Sequence, residues 1–211
     1  NLLRALGPVV VVVDEADAAL GDRDQQGDSG TSSRVFSMIA TQMGDTRYRG
    51  KILWMLLTAR PDLLPIDLKR QGRAEVHIPL FYPMEQAELR EMFVAMARKA
   101  GATLAAEDIP EIPHVGQLSG ADVEGLVGRA QRASLLGGSK VITREALAGA
   151  VAQFLPATSG MEKEMQEIAA ILECTDKQFL PAAVQMRIDA AGGRAALQER
   201  YAALRRQLEM N

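Results

Sequence analysis

The chain has 211 residues, of which 47% are hydrophobic and 4% aromatic, which is enough apolar material for one or two compact units and indicates helix-rich packing. The formal net charge of −3 disfavours a nucleic-acid-binding surface, and the single cysteine excludes a disulfide framework and a thiolate metal site. No apolar stretch reaches membrane-spanning length and no signal peptide precedes the first strand, so we expect a cytoplasmic protein with no membrane partner. Because the chain opens in a helical pattern without an initiator Met, we expect a fragment of a longer protein.

The first strong signal is a run of five valines at 9–13, which comes after a helical end at 2–6 and is followed by Asp14 and Glu15. So short and apolar a segment predicts a strand buried on both faces, in a parallel sheet covered by helices. Ligands of such sheets bind at the carboxyl ends of the strands, where the two carboxylates lie. Asp14 offers the oxygen ligands that Mg²⁺ prefers, and Glu15 could orient a water for attack on a γ-phosphate. The alternative is a buried strand followed by acidic loop residues without such a role.

The segments that follow continue an α/β pattern, with a polar loop, a helix and two further strands. The pattern therefore predicts three strands in this part of the chain. In order, the predicted elements are an exit segment at 14–20, a loop at 21–33, a helix at 33–43, a strand at 52–57, a break at 60–62, a short helix at 65–69 and a strand at 75–80.

Two further features of this part have a chemical interpretation. Thr58 follows the second strand, and its hydroxyl could bind a γ-phosphate or the attacking water, although the alternative is an ordinary strand-end residue. Arg70 and Arg73 lie three apart around Gly72, and guanidinium groups fit phosphate oxygens well. The two arginines are predicted either to reach the nucleotide of a neighbouring subunit or to form a solvated basic turn.

After Pro83 the apolar spacing changes from 2 to about 3.6 residues, which predicts an all-helical module. One helix ends at Gly101, a second begins at a capping box formed by Ser119 and Asp122, and a third is capped by Thr143.

The tail beyond this module carries two narrow apolar seams of the coiled-coil type. We expect them to pack back on the helical module, and binding to a neighbouring subunit or an adaptor is the alternative. Pro181 is predicted in the first turn of a helix between them. The seams consist of Met161, Met165, Ile168 and Leu172, and of Leu197, Tyr201, Leu204 and Leu208.

Taken together, the order of these motifs resembles the AAA+ ATPases, specifically the AAA clade, over residues 2 to about 156. The resemblance implies a partial parallel-sheet α/β nucleotide-binding core at 1–82 and an all-α lid at 83–157, followed by C-terminal helices at 158–211. It also implies ATP and Mg²⁺ as cofactors, and it places the second pore loop of the family at 21–33. The residues to which it gives a role are Asp14 for Mg²⁺, Glu15 for activating water, Thr58 in a sensor-1 segment at 58–62, Arg70 and Arg73 as arginine fingers acting in trans, and Gly120, Ala121 and Asp122 beside the adenine and ribose.

Two departures from the family pattern bear on function. Ala59 stands where the sensor-1 segment usually has Asn, and its side chain cannot form a hydrogen bond. No P-loop of the form G-x-x-x-x-G-K-[ST] occurs in the 211 residues. Because the P-loop supplies most phosphate contacts, we expect these residues alone to bind ATP poorly and to hydrolyse none.

The resemblance implies a motor that assembles with itself into a ring, expected to be a hexamer in the full-length protein, and acts on a protein client that the sequence does not identify. The alternative is a non-catalytic nucleotide-sensing or scaffolding ring subunit, which Ala59 favours. Remodelling of nucleic acid is disfavoured by the acidic charge balance. We expect no metal site at His77 or His114, because neither has a Cys or His nearby, and we expect Cys174 and Trp54 to be packed residues.

Overall fold

The computed structural model describes residues 8–20, 31–156 and 160–210, and within the helix that begins at Thr31 it describes no side chain before residue 37. The predicted helical end at 2–6 and nearly all of the predicted loop at 21–33 lie outside the described residues.

The chain divides into two compact units. The first unit is formed by Asn1–Pro79 together with Met161–Asn211, and the second by Leu80–Gly160. The chain thus leaves the first unit and returns to it after the second. The division into an ATPase core, a lid and a C-terminal extension stays a prediction about function.

A parallel pair of strands forms the sheet of the first unit. Strand β1 (Val9–Val13) pairs with β2 (Ile52–Leu56), with Val9 opposite Ile52 and Val13 opposite Leu56. The β-branched and large apolar side chains of both strands suit a pleated, partly buried surface. This sheet, with helices against one face and a separate helical unit, confirms the predicted class of a partial α/β core followed by helices.

The two strands are covered on one face only among the described residues. Val13, Trp54 and Leu56 face helices α1 (Ala16–Leu20) and α2 (Thr31–Met43) and pack against a small core. On the other face Val12 is 55% exposed and Leu53 is 59% exposed. The prediction that β1 is buried on both faces is therefore wrong for the described chain, because no described helix lies over its second face. Among the described residues, the buried side chains of this core are Leu20, Ala40, Met43 and Leu68.

Two predicted elements of the first unit are absent. Residues 65–69 form turns and no helix. Leu68 N donates to the Pro65 carbonyl at 3.0 Å, a hydrogen bond between residues three apart, and such bonds do not continue into a regular helix here. Residues 75–80 form neither a helix nor a strand and belong to no described sheet. The backbone N–H of His77 donates to Thr175 Oγ1 at 3.0 Å, so a side chain takes the place of a neighbouring strand. The predicted helix at 65–69 and strand at 75–80 are both corrected.

The second unit is a helical module, as predicted. Its helices begin at local capping signals: Ser119 and Asp122 form a capping box at the start of α4, and the Thr143 side chain accepts a hydrogen bond from Ala146 N at the start of α5. Fully buried side chains such as Phe93, Leu126 and Leu147 join the helices in one core. The helices are α3 (Gln86–Lys99), α4 (Gly120–Leu136) and α5 (Arg144–Ala152).

The tail returns to the first unit instead of the second. Its two predicted seams pack against each other, with Met165, Ile168 and Leu204 buried between helices α6 and α8. Helix α6 also packs against the short 3-10 helix Pro61–Leu63, which follows β2. The expectation that the tail packs on the helical module is thus wrong. The tail helices are α6 (Met161–Glu173), α7 (Ala182–Ala190) and α8 (Gly193–Glu209), and Pro181 directly precedes α7.

Replacing Leu204 by Ala is expected to lower the free energy of unfolding of the first unit by about 2–4 kcal/mol, because the side chain is fully buried and its removal leaves a cavity. Urea denaturation followed by the fluorescence of Trp54, the only tryptophan, measures the change. Leu208→Ala, at a partly buried position of the same seam, is the matched control with a smaller expected loss. An unchanged midpoint for Leu204→Ala would mean that the tail does not support this unit.

Candidate nucleotide site at the end of the sheet

Parallel pairing brings the predicted acidic and hydroxyl residues to one edge of the sheet. Because Val13 lies opposite Leu56, the segments that leave the two strands emerge side by side. They line an open cleft of about 510 Å³. Asp14 and Glu15 are both exposed at this cleft, so packing does not close off the carboxylates. The lining residues are Asp14, Glu15, Asp17, Ala18, Leu57, Thr58 and Ala59.

Glu15 has an unusual backbone. Its φ of 48° lies in the left-handed region, and it is the only non-glycine residue of the described chain with a positive φ. Neighbouring bonds hold it there: Glu15 N donates to Asp14 Oδ1 at 2.9 Å, and the Glu15 carbonyl accepts from Ala18 N at 2.9 Å to begin α1. Such strain, which costs on the order of 1 kcal/mol or more, is common where a side chain has to be presented at a functional site.

Asp17 is a site residue that the sequence analysis missed. The Thr58 hydroxyl donates to Asp17 Oδ1 at 2.5 Å, and the same oxygen of Thr58 accepts from Arg60 N at 2.9 Å. Thr58 therefore links the helix after β1 to the segment after β2, and its proton is directed at a carboxylate. The available signal was the position of Asp17 in the first turn of α1, two residues after Glu15.

The segment after Thr58 is fixed by an ion pair and by the tail. Arg60 Nε and Nη2 donate to the two oxygens of Asp62 at 3.0 and 2.8 Å, and the Tyr201 hydroxyl donates to Asp62 Oδ2 at 2.9 Å. Burial alone raises the pKa of Asp62, but the hydrogen bonds from Arg60 and Tyr201 outweigh it and the pKa lies below the ordinary value. Burial, together with the hydrogen bond to Asp62, raises the pKa of Tyr201 to about 12. The phenol is therefore protonated at neutral pH and serves as a donor.

The two arginines predicted to act in trans differ in their surroundings. The Arg70 side chain is 67% exposed and pairs only with the Asp67 carboxylate, at 2.6 Å, among the contacts described. Arg73 is half-buried, and its Nη1 donates to the Asp67 backbone carbonyl at 2.7 Å. Arg70 is the more accessible of the two, whereas Arg73 also holds the turn on which both lie.

The residues predicted to lie beside the adenine belong to the second unit. Gly120, Ala121 and Asp122 form the first turn of α4. Asp122 Oδ2 accepts hydrogen bonds from Ser119 N at 2.9 Å and Ser119 Oγ at 2.6 Å, so the carboxylate is engaged in the capping box at the start of α4. Their proposed contact with a nucleotide stays a prediction.

The chemistry of the cleft suits a magnesium ion that shares its ligands with phosphate. In residues 8–20, 31–156 and 160–210, no three His, Cys, Asp or Glu side chains are grouped closely enough to hold a metal by themselves. Mg²⁺ commonly uses one or two carboxylates and completes its octahedral shell with phosphate oxygens and water. Asp14, exposed at the open cleft, fits that mode of binding.

Three smaller predictions concern residues away from the cleft. Both ring nitrogens of His77 lie within 2.9 Å of backbone carbonyl oxygens, those of Glu173 and Ala74. His114 packs edge-on against Phe154 at a ring-centre distance of 6.4 Å. Cys174 is half-buried and its thiol donates to the Asp176 carbonyl.

Comparison with known proteins defines the class. Residues 1–82 match the family described as "ATPase family associated with various cellular activities (AAA)". This part of the chain therefore belongs to the AAA+ ATPases, which confirms the resemblance of its motifs.

Several curated relatives are similar over a longer stretch. The chain is 28% identical over 145 residues to the vesicular-fusion protein sec18 of Schizosaccharomyces pombe, covering 66% of this chain and 18% of that protein. It is 29% identical over 187 residues to the cell division cycle protein 48 homolog of Archaeoglobus fulgidus, covering 87% and 23%. It is 29% identical over 122 residues to the vesicle-fusing ATPase of Dictyostelium discoideum, covering 56% and 16%. The matched region thus spans less than a quarter of each of these relatives. Within the described part of the chain, no helix is both long and apolar enough to span a bilayer.

Replacing Thr58 by Val is expected to lower the free energy of unfolding by about 1–3 kcal/mol, because Asp17 loses a donor and the Arg60 amide loses an acceptor in a half-buried place. Urea denaturation is the measurement. Thr41→Val removes a hydroxyl that donates to the Ser37 carbonyl on the exposed face of α2, and a change within about 0.5 kcal/mol is expected there. Equal effects of the two substitutions would contradict a special role for Thr58.

Proposed function

We propose that this chain is part of the ATP-hydrolysing module of a cytoplasmic, ring-forming AAA+ motor that remodels a protein client. The observation that carries the proposal is that Asp14, Glu15 and Thr58 come together at one open cleft, in a domain of an ATPase family. One similar protein is named a vesicle-fusing ATPase, which supports hydrolysis as the activity.

Each residue of the cleft has a distinct role in this proposal. When bound, Mg²⁺-ATP supplies the γ-phosphoryl group that is transferred to water. Asp14 holds the metal through a carboxylate oxygen, and Glu15 accepts the proton of the attacking water. Thr58 and Asp17 both line the same cleft, and the Thr58 oxygen, whose proton is donated to Asp17, accepts a hydrogen bond from the attacking water. The strained backbone of Glu15 supports its assignment, because it turns the side chain toward the cleft at a cost.

The arginines and the lid residues complete the proposed site. Arg70, exposed on its turn, stabilises the negative charge that develops on the nucleotide of the neighbouring subunit, and Arg73 supports that turn. Gly120, Ala121 and Asp122 bind beside the adenine and ribose. Because Arg70 has to act on another copy, the proposal requires self-assembly, and the resemblance to the AAA clade makes a homo-oligomeric ring, with a hexamer expected, the proposed form.

A non-catalytic nucleotide-sensing or scaffolding subunit is the second candidate, and one observation favours it. Ala59 lines the cleft at the position next to Thr58 and offers no polar side-chain atom there. If the missing amide is essential, the cleft binds nucleotide without turnover.

Steady-state ATPase measurements on the full-length protein with Mg²⁺ separate the two candidates. The proposed motor gives turnover that depends on Mg²⁺ and on protein concentration. Nucleotide binding with no turnover, at any protein concentration that supports assembly, would establish the non-catalytic subunit instead.

A further inference from the structure

Helix α8 places a tyrosine against the segment that follows β2. The Tyr201 ring lies at the edge of the seam between α6 and α8, and its hydroxyl donates to Asp62 Oδ2 at 2.9 Å across 139 residues of sequence. The Asp62 side chain is only 15% exposed. The phenol is therefore a specific polar contact between the tail and this segment of the first unit.

From Asp62 the hydrogen bonds continue toward the cleft. Arg60 binds both oxygens of Asp62 through Nε and Nη2, which fixes the residue between them at the start of the 3-10 helix. The Arg60 backbone N–H donates to Thr58 Oγ1 at 2.9 Å, and Thr58 donates to Asp17. Hydrogen bonds on both sides of Arg60, joined through the residue itself, thus connect Tyr201 to Asp17, a carboxylate two residues from Glu15.

We propose that Tyr201 is a positioning residue for the cleft: it holds Asp62 and Arg60 in place, so that the Thr58 hydroxyl stays aimed at Asp17 beside Glu15. Its effect on turnover rests on the proposed ATPase function. Its effect on the position of the segment does not, because that follows from the contacts alone.

The Tyr201 hydroxyl contributes a hydrogen bond to Asp62 in addition to the packing of the aromatic ring. Two donors, Arg60 Nη2 and the Tyr201 hydroxyl, share Asp62 Oδ2. When Oδ2 of this half-buried carboxylate loses one of its two donors, it is less well solvated, and the carboxylate can leave its place to find water. Because the Arg60 guanidinium is bound to Asp62, movement of Asp62 also loosens Arg60, and the hydrogen bond from the Arg60 amide to Thr58 Oγ1 is then held less firmly. Phenylalanine at position 201 keeps the packing of the seam and removes only this donor.

The test compares Tyr201→Phe with the wild-type full-length protein by amide hydrogen exchange and by steady-state kinetics. We expect the Arg60 amide to exchange about fivefold faster in Tyr201→Phe, and kcat for ATP to fall by a similar factor with KM unchanged. Tyr82→Phe, which removes a phenol from the second unit, is the matched control, and neither quantity should change. Leu208→Ala serves as a second control, because it weakens the seam without touching the phenol.

Each outcome bears on the proposal. Unchanged exchange at Arg60 in Tyr201→Phe would overturn it, as would faster exchange spread evenly over α6 and α8, which would show a merely structural role. If Leu208→Ala reproduced the local change at Arg60, packing and not the hydroxyl would be responsible, and the proposal would fail. A wild-type protein without turnover, combined with faster exchange confined to 58–62 in Tyr201→Phe, would refute the ATPase function and still support the positioning by Tyr201.

Discussion

Glu15→Gln in the full-length protein is expected to lower ATP turnover by about a hundredfold or more while ATP binding is retained. The amide of Gln has the size of the carboxylate but cannot accept a proton from the attacking water. Asp14 keeps its carboxylate, so metal and nucleotide still bind. The measurements are the steady-state turnover rate and the amount of ATP that stays bound to the protein after rapid desalting.

Glu15→Gln should change the chemistry of the side chain without disturbing the local backbone. Glu15 is exposed at the cleft, and the contacts that hold its unusual backbone come from its own amide and carbonyl groups, which Gln retains. The free energy of unfolding should therefore change little. Glu199→Gln, on the exposed face of α8, is the matched control and should leave turnover unchanged. Full turnover in Glu15→Gln would show that another group activates the water.

Arg70→Ala is expected to lower turnover of the assembled protein by about a thousandfold, because an arginine that reaches the γ-phosphate of a neighbour stabilises charge that develops during hydrolysis. Arg70→Lys should rescue little, since an ammonium group does not reproduce the planar fork of the guanidinium. Stability should change little, because the pair between Arg70 and Asp67 is well exposed and such pairs contribute weakly. Arg206→Ala, at an exposed site of α8, is the control for loss of a surface charge.

Mixing two inactive variants tests whether Arg70 acts on another subunit. In a ring of Arg70→Ala and Glu15→Gln subunits, some interfaces combine an intact Glu15 from one subunit with an intact Arg70 from its neighbour. Turnover should therefore return in the mixture, although each variant alone is inactive. A mixture as inactive as its components would mean that both residues act on the same subunit's nucleotide, or that no ring forms.

The tail helices contact the part of the first unit that carries several proposed site residues. Lys69 Nζ pairs with Glu173 Oε1 at 2.6 Å and the Tyr201 hydroxyl donates to Asp62, so polar contacts join both α6 and α8 to the part of the chain that follows β2. The two residues that the tail contacts here lie close in sequence to residues with a proposed role. Asp62 is close to Thr58, and Lys69 is next to Arg70. The tail is therefore well placed to affect the site that we propose.

Some errors in the sequence-based predictions share one physical cause. The run at 9–13 correctly predicted a strand. Its second apolar face also predicted a helix packed over that face, and the described chain has none there. The alternation at 75–80 predicted a strand, yet a strand needs a partner backbone, and His77 finds Thr175 instead. Periodicity shows which side of an element is apolar and does not show what lies against it.

The sequence alone determined the elements that depend on local chemistry: the two strands, the capped starts of α4 and α5, the apolar seams of the tail, and the acidic pair at the end of β1. It also determined the family, because the motifs and their order are local signals. Only the tertiary structure decided that Thr58 bonds to Asp17, 41 residues away, and that the tail packs beside Pro61–Leu63. Those contacts join residues far apart in the chain, and their energies depend on distance and burial in the folded molecule, which no local pattern of residues encodes.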